Sequence, residues 1–456
     1  MNKLLFSYFL LIGMCSVILS LTSCQPDDLY RPNREKKPAN EWVHTTLQKE
    51  YLWNSDVPSN RNLDFSLDTE EFFYSLLSNK DGKHTANKNY YYSRIEQNTT
   101  TKSGGMITSY GFAPIYFLDE RNNNVFVRIL YIIPDSPAEK AGLKRGDFIT
   151  KYGGVTLTLS NYSELDKKTG AMKVTLAEYH NGRLHDTETV HLDAAKKVED
   201  NPFYRDTVYV DGSKKIAYLM YNSFVSGYTD DSNEYTIQMR EIFQRFKAKQ
   251  PDEFILDLRI NGGGLVQCAQ QLATYLAPQD ALNDLFCYLE FNNGRKRNLS
   301  FSTEDKTHNL NLKKIHIIIT GNSASASELV INGLRPYFGD ENIILIGEKS
   351  EGKNVGSSKF TDDTDSWIMH PMTCYVYNKN GEKDYENGFT PDFDDISEYE
   401  ADLEWFDYGN TNEYILKNVL HIIRTGQALS SGRSTKATDE GITTIIPSKR
   451  NMLIID

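Results

Sequence analysis

The sequence predicts a multidomain α/β chain, and three observations carry that prediction. The chain has 456 residues, 39% of them hydrophobic, which is enough for two or three domains with substantial cores. From Lys214 onward, apolar strands alternate with helical patterns at 239–247, 265–277 and 327–335, a rhythm typical of βαβ units with right-handed crossovers. Residues 101–195 combine an alternating apolar strand with glycine turns, which predicts a β-rich domain ahead of that region.

The first 23 residues have the features of a secretory signal. Lys3 precedes an apolar run over residues 4–21, which is followed by small residues and then Cys24. A positive start and a short apolar stretch are typical of a cleaved signal rather than a membrane span. The run Leu21-Thr22-Ser23-Cys24 closely resembles the lipobox of bacterial lipoprotein precursors. The resemblance implies cleavage before Cys24 and lipidation of its thiol.

A lipidated Cys24 would tether the mature chain to a lipid bilayer of the bacterial cell envelope. We expect the outer membrane, with the periplasmic and the surface-exposed face as open alternatives. The run Gln25-Pro26-Asp27-Asp28 resembles the acidic export tag of surface lipoproteins in Bacteroidota. Residues 24–40 are polar and rich in proline, so they predict a flexible spacer between the anchor and the folded chain.

The two ends of the folded part are predicted to be helical. Trp42, Leu47, Tyr51 and the pair Phe72-Phe73 indicate a small N-terminal region, residues 41–100, of two or three short amphipathic helices. We interpret these aromatic residues as core. Ile415 to Ile423 has helical spacing and is closed by Gly426, which predicts the last helix. The Ser/Thr-rich tail, residues 427–456, is predicted to be poorly ordered.

A triple glycine follows a short apolar strand, Phe254 to Leu258. Gly262, Gly263 and Gly264 allow the backbone to approach another group closely before a helix begins. Neither the P-loop pattern nor G-x-G-x-x-G is present, so phosphate binding is disfavoured. A backbone donor for a tetrahedral intermediate is the better functional interpretation. The alternative is a tight turn with a structural role only.

The run from Gly321 to Glu328 puts small residues and hydroxyls at a turn from strand to helix. Ile315 to Ile319 forms the predicted strand, and a helix is predicted to continue until Pro336 stops it. A serine at such a turn meets free N–H groups and the positive end of the helix dipole. That environment suits a nucleophile, although Ser325 and Glu328 also form a capping box that can be purely structural.

A second strand, Ile344 to Ile346, leads into a loop with regularly placed glycines that carries Lys353. The nine histidines are scattered and form no local pattern with an acid. A lysine can replace histidine as a base if burial lowers its pKa from about 10.4 to about 7, which takes roughly 4 to 5 kcal/mol of desolvation. The alternative for Lys353 is a solvated loop lysine.

These three segments, together with Gly388 to Asp392, resemble the carboxyl-terminal processing peptidases, also called tail-specific serine proteases. The resemblance covers most of residues 105–425 and implies an α/β catalytic domain, residues 205–426, of the ClpP/crotonase type. It implies a serine-type endopeptidase that uses a Ser/Lys dyad.

Carried over by motif, the resemblance makes Ser325 the nucleophile and Lys353 the general base, with Ala326 and either Gly262 or Gly263 as oxyanion donors. Ser323 and Ser327 are the alternative nucleophiles if the motif is read in another register. Two departures stand out. The family often has a glutamine four positions after the lysine, where this chain has Ser357, and the segment around 335–342 is slightly longer than usual.

The same family implies a PDZ domain, here over residues 101–195. Tyr110, Gly111, Phe112 and Ala113 resemble the carboxylate-binding loop and the start of the strand that receives a peptide. Such a domain captures a peptide as an added strand at a sheet edge. The implied partners are protein or peptide substrates with free C-terminal tails. The alternative is a packed β-rich domain whose groove is idle.

Charge and cysteine content exclude several other classes. The net charge is −12 and no basic run offsets it, so nucleic acid is not an expected partner. Three cysteines remain beyond the signal and Cys24, which argues against a disulfide framework. No Cys/His grouping has zinc-ligand spacing, so neither a metal nor another cofactor is expected. An inactive peptide-binding lipoprotein and an acyl hydrolase of small esters or glycans remain the alternative functions, and no feature predicts an oligomeric state.

Overall fold

A computed structural model describes residues 37–85, 89–98, 105–229, 231–364, 366–394, 396–399, 404–429, 442–445 and 454–455. The signal segment 1–23, Cys24 and the spacer up to residue 36 lie outside these described residues. Among the helices that the structure does describe, none combines the length and the apolar character needed to cross a bilayer.

The N-terminal region, residues 37–98, contains two helices followed by short strands. Their bounds are α1 Pro38–Glu50, α2 Thr69–Ser75, β1 Lys83–His84, β2 Asn89–Tyr90 and β3 Arg94–Gln97. Val43, Leu47, Phe72 and Phe73 are fully buried, in agreement with the expected aromatic core.

Two expectations for this region were wrong. The predicted spacer reached residue 40, whereas α1 already begins at Pro38, because proline suits the first turn of a helix. The predicted helical region reached residue 100, whereas the α-helices end at Ser75 and strands follow. Helical periodicity does not reveal that β3 finds a partner far along the chain, at 367–370.

The β-rich domain, residues 105–199, is built on an antiparallel sheet. Its elements are β4 Met106–Ser109, β5 Phe112–Asp119, β6 Asn124–Ile132, α3 Pro137–Lys140, β7 Phe148–Tyr152, β8 Val155–Thr156, β9 Met172–His180, β10 Arg183–Leu192 and β11 Lys196–Glu199. The strand order is β10-β9-β7-β6-β5, so β5 pairs with β6 and lies toward one side of the sheet. The Ser136 hydroxyl caps α3 by accepting from the Glu139 N–H at 3.1 Å.

The α/β domain, residues 203–425, alternates strands and helices as predicted. Its elements are β12 Phe203–Asp211, β13 Lys214–Tyr221, α4 Glu234–Lys249, β14 Glu253–Asp257, α5 Val266–Leu276, β15 Leu285–Phe291, β16 Lys296–Ser300, β17 Ile315–Ile319, α6 Ala326–Phe338, β18 Ile343–Gly347, β19 Val355–Ser358, β20 Phe360–Thr361, β21 Trp367–His370, β22 Met372–Asn378 and α7 Tyr414–Thr425. The multidomain α/β class is therefore confirmed.

The central sheet of this domain has the order β12-β13-β14-β17-β18, and the last four strands are parallel. Ile315, Ile317, Ile318 and Ile319 of β17 are fully buried, as expected for a parallel sheet covered on both faces. A second sheet, β16-β15-β22-β19, packs in the same domain, and β3 joins β20 and β21 in a small third sheet. The N-terminal region is thus tied into the α/β domain by strand pairing.

Helix α6 does not stop at Pro336 as predicted, because it continues to Phe338 and ends at Gly339. Proline cannot donate to the carbonyl four residues earlier, which belongs to Asn332. The Asn378 side-chain amide donates to that carbonyl at 3.3 Å instead. A distant strand therefore supplies the hydrogen bond that the helix loses.

Two segments of the tail, predicted to be poorly ordered, are strands: β23 Ile442–Ile445 and β24 Ile454–Ile455. Strand β23 pairs antiparallel with β5, and β24 pairs parallel with β19. For these segments the prediction of disorder was wrong. Short runs of isoleucine and threonine form strands only where a sheet edge accepts them, and that edge is not visible in the sequence.

Candidate active site

The three motifs of the α/β domain meet at one edge of the central sheet. Strands β14, β17 and β18 are parallel neighbours, so their carboxyl ends lie side by side. The segments that follow these strands carry the triple glycine, the serine turn and the lysine loop. Open α/β sheets place their ligand sites at such an edge.

Ser325 lies on a strained turn between β17 and α6. Its backbone has φ 63° and ψ −110°, a left-handed conformation that a residue with a Cβ rarely adopts. The side chain is 1% exposed, and its hydroxyl has no hydrogen-bond partner among the residues that the structure describes. Nucleophilic serines often lie on a strained strand-to-helix turn, which makes Ser325 the candidate nucleophile of this site.

The two neighbouring serines are occupied by structural hydrogen bonds. The Ser323 hydroxyl donates to the Leu258 carbonyl at 2.8 Å, and the Ser327 hydroxyl donates to the Asn261 carbonyl at 2.8 Å. Both bonds tie the serine turn to the segment after β14. Of these three serines, Ser325 is the one whose hydroxyl is not engaged.

The glycine turn lies directly against Ser325. Gly263 has φ +107°, and a Cβ placed on it would lie 2.7 Å from the Ser325 Cβ and 3.0 Å from the Ala326 nitrogen. Only glycine therefore permits this approach. The Gly263 N–H donates to the Asn261 side-chain oxygen at 2.9 Å, whereas Gly262 is partly exposed at the same turn. Ala326 is the first residue of α6, so its N–H has no acceptor within the helix.

Lys353 is buried rather than solvated, with 4% of its surface exposed. Burial lowers the pKa of its amine to about 7, and the positive charge of Arg94 adds to this shift. The carboxylates of Asp81, Glu351 and Glu328 oppose the shift without cancelling it. At neutral pH a large fraction of this amine is therefore uncharged.

The N-terminal region closes the lysine pocket. The Tyr92 ring centre lies 5.0 Å from the Lys353 amine, and the Tyr92 hydroxyl donates to Glu351 at 3.2 Å. Asp81 is fully buried and accepts from the N–H groups of Tyr92 and Ser93 at 2.8 and 3.1 Å. These contacts exclude water from an amine that lies more than 250 residues away in the chain.

One carboxylate joins the serine turn to the lysine loop. Glu328 Oε2 accepts from the N–H groups of Ser325 at 3.0 Å and of Lys353 at 2.8 Å. Its Oε1 accepts from the Gly352 N–H at 2.7 Å and from the Ser350 hydroxyl at 2.6 Å. The backbones of Ser325 and Lys353 are therefore held next to each other. The sequence indicates Glu328 only as part of a capping box, because the lysine loop that Glu328 binds is far away in the chain.

A buried ion network behind the glycine turn was not predicted. The Arg259 guanidinium lies 2.7 Å from Asp257 and 2.9 Å from both Glu398 and Glu413. Arg145 of the β-rich domain binds the same Glu398 at 2.6 Å. The network thus connects the β-rich domain to the residues just before the glycine turn. The signal in the sequence was an Asp-Leu-Arg run at the end of an apolar strand.

Ser357, at the position where the family often has a glutamine, is fully buried in β19. Its backbone register pairs with Ile454 of β24. The Tyr92 ring from the N-terminal region is a neighbour of the lysine, with its centre 5.0 Å from the amine.

The predicted carboxylate-binding loop, residues 110–113, belongs to the β-rich domain, whereas Ser325 belongs to the α/β domain. Tyr110 and Phe112 are buried, and their rings stack with centres 6.5 Å apart, so both side chains belong to the core. Gly111 has φ +89°, its N–H donates to the Ser109 hydroxyl at 3.0 Å, and a Cβ there would lie 2.0 Å from the Ser136 Cβ. Ala113 is partly exposed at the start of β5. Peptide recognition at this loop would have to use backbone groups and the edge of β5.

Comparison with protein families assigns three consecutive regions of the chain. Residues 39–94 match the peptidase S41 N-terminal domain, residues 128–169 match the PDZ domain, and residues 215–394 match peptidase family S41. Each match falls in one of the three regions seen in the fold.

Known proteins agree with these matches. A solved chain from Bacteroides fragilis NCTC 9343, assigned to the S41 proteases, is 31% identical and superposes with a TM-score of 0.71 over 85% of this chain and 97% of its own. The carboxy-terminal-processing protease of Bartonella bacilliformis is 25% identical over 276 residues, which cover 59% of this chain and 58% of that protein. The carboxy-terminal processing protease CtpA of Bacillus subtilis is 26% identical over 248 residues, covering 54% of this chain and 48% of that protein. The chain thus matches about half the length of these curated relatives.

Proposed function

The chain belongs to peptidase family S41 and carries the family's N-terminal domain and a PDZ domain, and on that premise we propose that it is a serine endopeptidase with a Ser325/Lys353 dyad. The observation that carries this proposal is that a buried, unengaged serine hydroxyl and a buried lysine with a pKa of about 7 lie on two segments whose backbones bind the same Glu328 carboxylate. Its substrates are proteins with free C-terminal tails, captured by the PDZ domain.

In the first half of the reaction Ser325 forms an acyl-enzyme. Its oxygen bonds to the scissile carbonyl carbon while its proton passes to the Lys353 amine. Lys353 then gives that proton to the leaving nitrogen as the carbon–nitrogen bond breaks. In the second half Lys353 takes a proton from water while the water oxygen bonds to the ester carbon. The bond between that carbon and the Ser325 oxygen then breaks as Lys353 returns the proton to that oxygen. The amine must be uncharged at the start of each half, which the lowered pKa allows.

The oxyanion is stabilised by backbone donors at the turn. We assign Ala326 and Gly262 to this role, with the positive end of the α6 dipole behind Ala326. The Gly263 N–H is already held by Asn261, so Gly263 contributes the close approach instead. Each such donor contributes about 10²- to 10³-fold to the rate in related chemistry.

The hydrogen bond between Ser325 and Lys353 is not made in this structure. Catalytic hydrogen bonds often tighten only when substrate is bound. Rotation of the long lysine side chain toward Ser325 would complete the dyad, and the Glu328 carboxylate already holds the two backbones next to each other.

The unmade bond also supports one alternative, a catalytically inactive peptide-binding lipoprotein. The two functions are separated by incubating the chain from residue 25 onward with unfolded reporter proteins that differ only in their last five residues. Cleavage that depends on those residues, seen by intact mass, supports the peptidase. Binding without any product would leave only the peptide-binding function, and cleavage that ignores the tail would argue against recognition by the PDZ domain.

We further propose that the mature chain is anchored to the cell envelope by a lipid on Cys24. The lipobox-like run and the polar spacer support this proposal. Expression of the full chain in a bacterium fed an alkyne-labelled fatty acid should label the parent and not Cys24→Ser. Equal labelling of both chains would show that the lipid, if any, is attached elsewhere.

A further inference from the structure

The edge of the PDZ sheet that β5 forms is covered by a segment of the chain's own C-terminal tail. In the strand order of this sheet, β23 follows β5, so it lies where an added peptide strand would lie. The register pairs Ile442 with Asp119, Thr443 with Leu118, Thr444 with Phe117 and Ile445 with Tyr116. Four consecutive residues of the tail therefore complete the sheet.

The direction of β23 is that of a bound ligand. A peptide that presents its C-terminal end to the loop at 110–113 must run antiparallel to β5, toward lower residue numbers of that strand. Strand β23 does this, because its partners move from Asp119 to Tyr116 as the tail advances. Ile442 also packs against the apolar cluster that includes Ile115 and Phe117. The tail thus reproduces both the backbone pairing and the apolar contact of an added strand.

A second tail segment lies beside the lysine loop. Strand β24 pairs parallel with β19, with Ile454 opposite Ser357 and Ile455 opposite Ser358. Strand β19 begins two residues after Lys353, so β24 covers the sheet edge that follows the predicted base. This pairing is independent of the β23 pairing and involves a different sheet.

We propose that the C-terminal tail of this chain is an intramolecular competitor of substrate tails. In this state residues 442–445 occupy the edge of β5 and residues 454–455 occupy the edge of β19. A substrate tail must displace β23 before it can pair with β5. This competition rests on the proposed function, because it requires that the edge of β5 receives substrate tails. The pairing of β23 with β5 itself does not depend on catalysis.

Intramolecular occupancy should weaken peptide binding by a predictable factor. A flexible tether gives a tail an effective concentration on the order of 1 mM. For a peptide of about 100 µM intrinsic affinity, occupancy at that concentration lowers the apparent affinity by roughly tenfold.

The test uses chains that start at residue 25 and carry Ser325→Ala, so that no peptide is cut. The probe is a fluorescein-labelled synthetic peptide with the sequence of residues 441–456, titrated by fluorescence anisotropy. A chain truncated after Leu429 keeps the hydrogen bond of the Leu429 N–H to the Asn418 side chain. It should bind the probe about tenfold more tightly than the full chain. Equal affinities of the two chains would overturn the proposal.

A second pair of variants guards against effects of truncation. Thr443→Pro with Thr444→Pro removes two backbone donors from β23 and should raise probe affinity as truncation does. Thr435→Pro with Thr438→Pro makes the same two residue changes outside β23. This pair should leave the affinity for the probe at the level of the full chain. If both proline pairs behave alike, the pairing of β23 is not the cause.

Amide hydrogen exchange measures whether the edge of β5 is paired, and it needs no added peptide. The amides of β5 from Tyr116 to Asp119 should exchange faster once the tail is removed, and unchanged exchange would contradict occupancy. A tail that is exchanged between two copies would make the full chain dimeric by light scattering while the truncated chain is monomeric, and would refute the intramolecular form. None of these readouts needs turnover, so a chain that never cleaves a reporter would refute the peptidase and leave this inference standing.

Discussion

The serine site of the α/β domain and the peptide edge of the PDZ domain are held in different ways. Around Ser325, buried side chains hold the backbone in place: Glu328 alone accepts from three backbone N–H groups and from the Ser350 hydroxyl. The edge of β5 is instead defined by backbone groups that any extended strand can pair with. The first arrangement gives one precise geometry, and the second gives exchangeable occupants. Side-chain substitutions should therefore damage the serine site far more than the peptide edge.

The largest difference between the two regions should come from the dyad. Ser325→Ala or Lys353→Ala should lower the rate of reporter cleavage by about 10⁴-fold, because nucleophile and base act as one unit. Binding of the tail peptide to the PDZ domain, measured by anisotropy, should stay within twofold of the parent in each variant. Lys349→Ala changes an exposed lysine four residues earlier and serves as the matched control. Full activity of Lys353→Ala would show that another group is the base.

The buried ion pairs that join the PDZ domain to the α/β domain should contribute to the free energy of unfolding. Arg145→Met leaves Glu398 with one guanidinium instead of two in a buried site, and should lower the free energy of unfolding by about 3 kcal/mol. Chemical denaturation followed by tryptophan fluorescence measures the loss. Arg121→Met breaks an exposed pair with Asp119 and should change stability by less than about 1 kcal/mol. Equal losses in the two variants would mean that the buried network does not join the domains.

A smaller effect should come from the carboxylate that positions the dyad. Glu328→Gln keeps the shape of the side chain but replaces one acceptor oxygen with a donor. Either the N–H groups of Ser325 and Lys353, or the Gly352 N–H and the Ser350 hydroxyl, therefore lose their acceptor. We expect the turnover number to fall by about 10²-fold with little change in KM, since the dyad shifts while the peptide edge does not. Glu341→Gln alters an exposed glutamate after the same helix and is the control. A rise in KM alone would place Glu328 in binding rather than positioning.

The smallest effect expected is the pH dependence. The Lys353 pKa is about 7, and the amine is active only when uncharged, so cleavage should rise with pH through about 7 and then level off. At pH 6 the rate should be roughly tenfold below the plateau. Peptide binding at the β5 edge should show no such rise. A profile that keeps rising to pH 10 would mean that the lysine is not desolvated during catalysis.

Local patterns were sufficient to predict the core of the site. The strand before each motif, the glycines at 262–264 and the small residues around Ser325 are all properties of neighbouring residues, so they can be read from the sequence. The helices α5 and α7 follow from the same kind of reasoning, whereas the roles proposed for Ser325 and Lys353 also depend on the family resemblance. The end of α6 was predicted wrongly, because the amide that bonds the carbonyl freed by Pro336 comes from Asn378 on a distant strand.

The surroundings of the lysine depended on the tertiary structure. Tyr92, Asp81 and Arg94 belong to a region interpreted as helical core, yet they determine how dry and how charged the pocket of Lys353 is. The network of Arg259, Glu398 and Arg145 likewise joins residues that are far apart in the chain. Desolvation and long-range ion pairs depend on which surfaces pack together, and no local pattern records that.

The sequence by itself therefore determined the fold class, the family and the positions of the serine turn and the lysine loop. Only the tertiary structure decided that Ser325 is the unengaged serine, that Gly263 is bound to Asn261, and that the tail pairs with β5 and β19. The physical reason is the range of the interactions. Turn chemistry and helix periodicity act over a few residues, whereas hydrogen-bond satisfaction and strand pairing are settled between segments that meet only when the chain has folded.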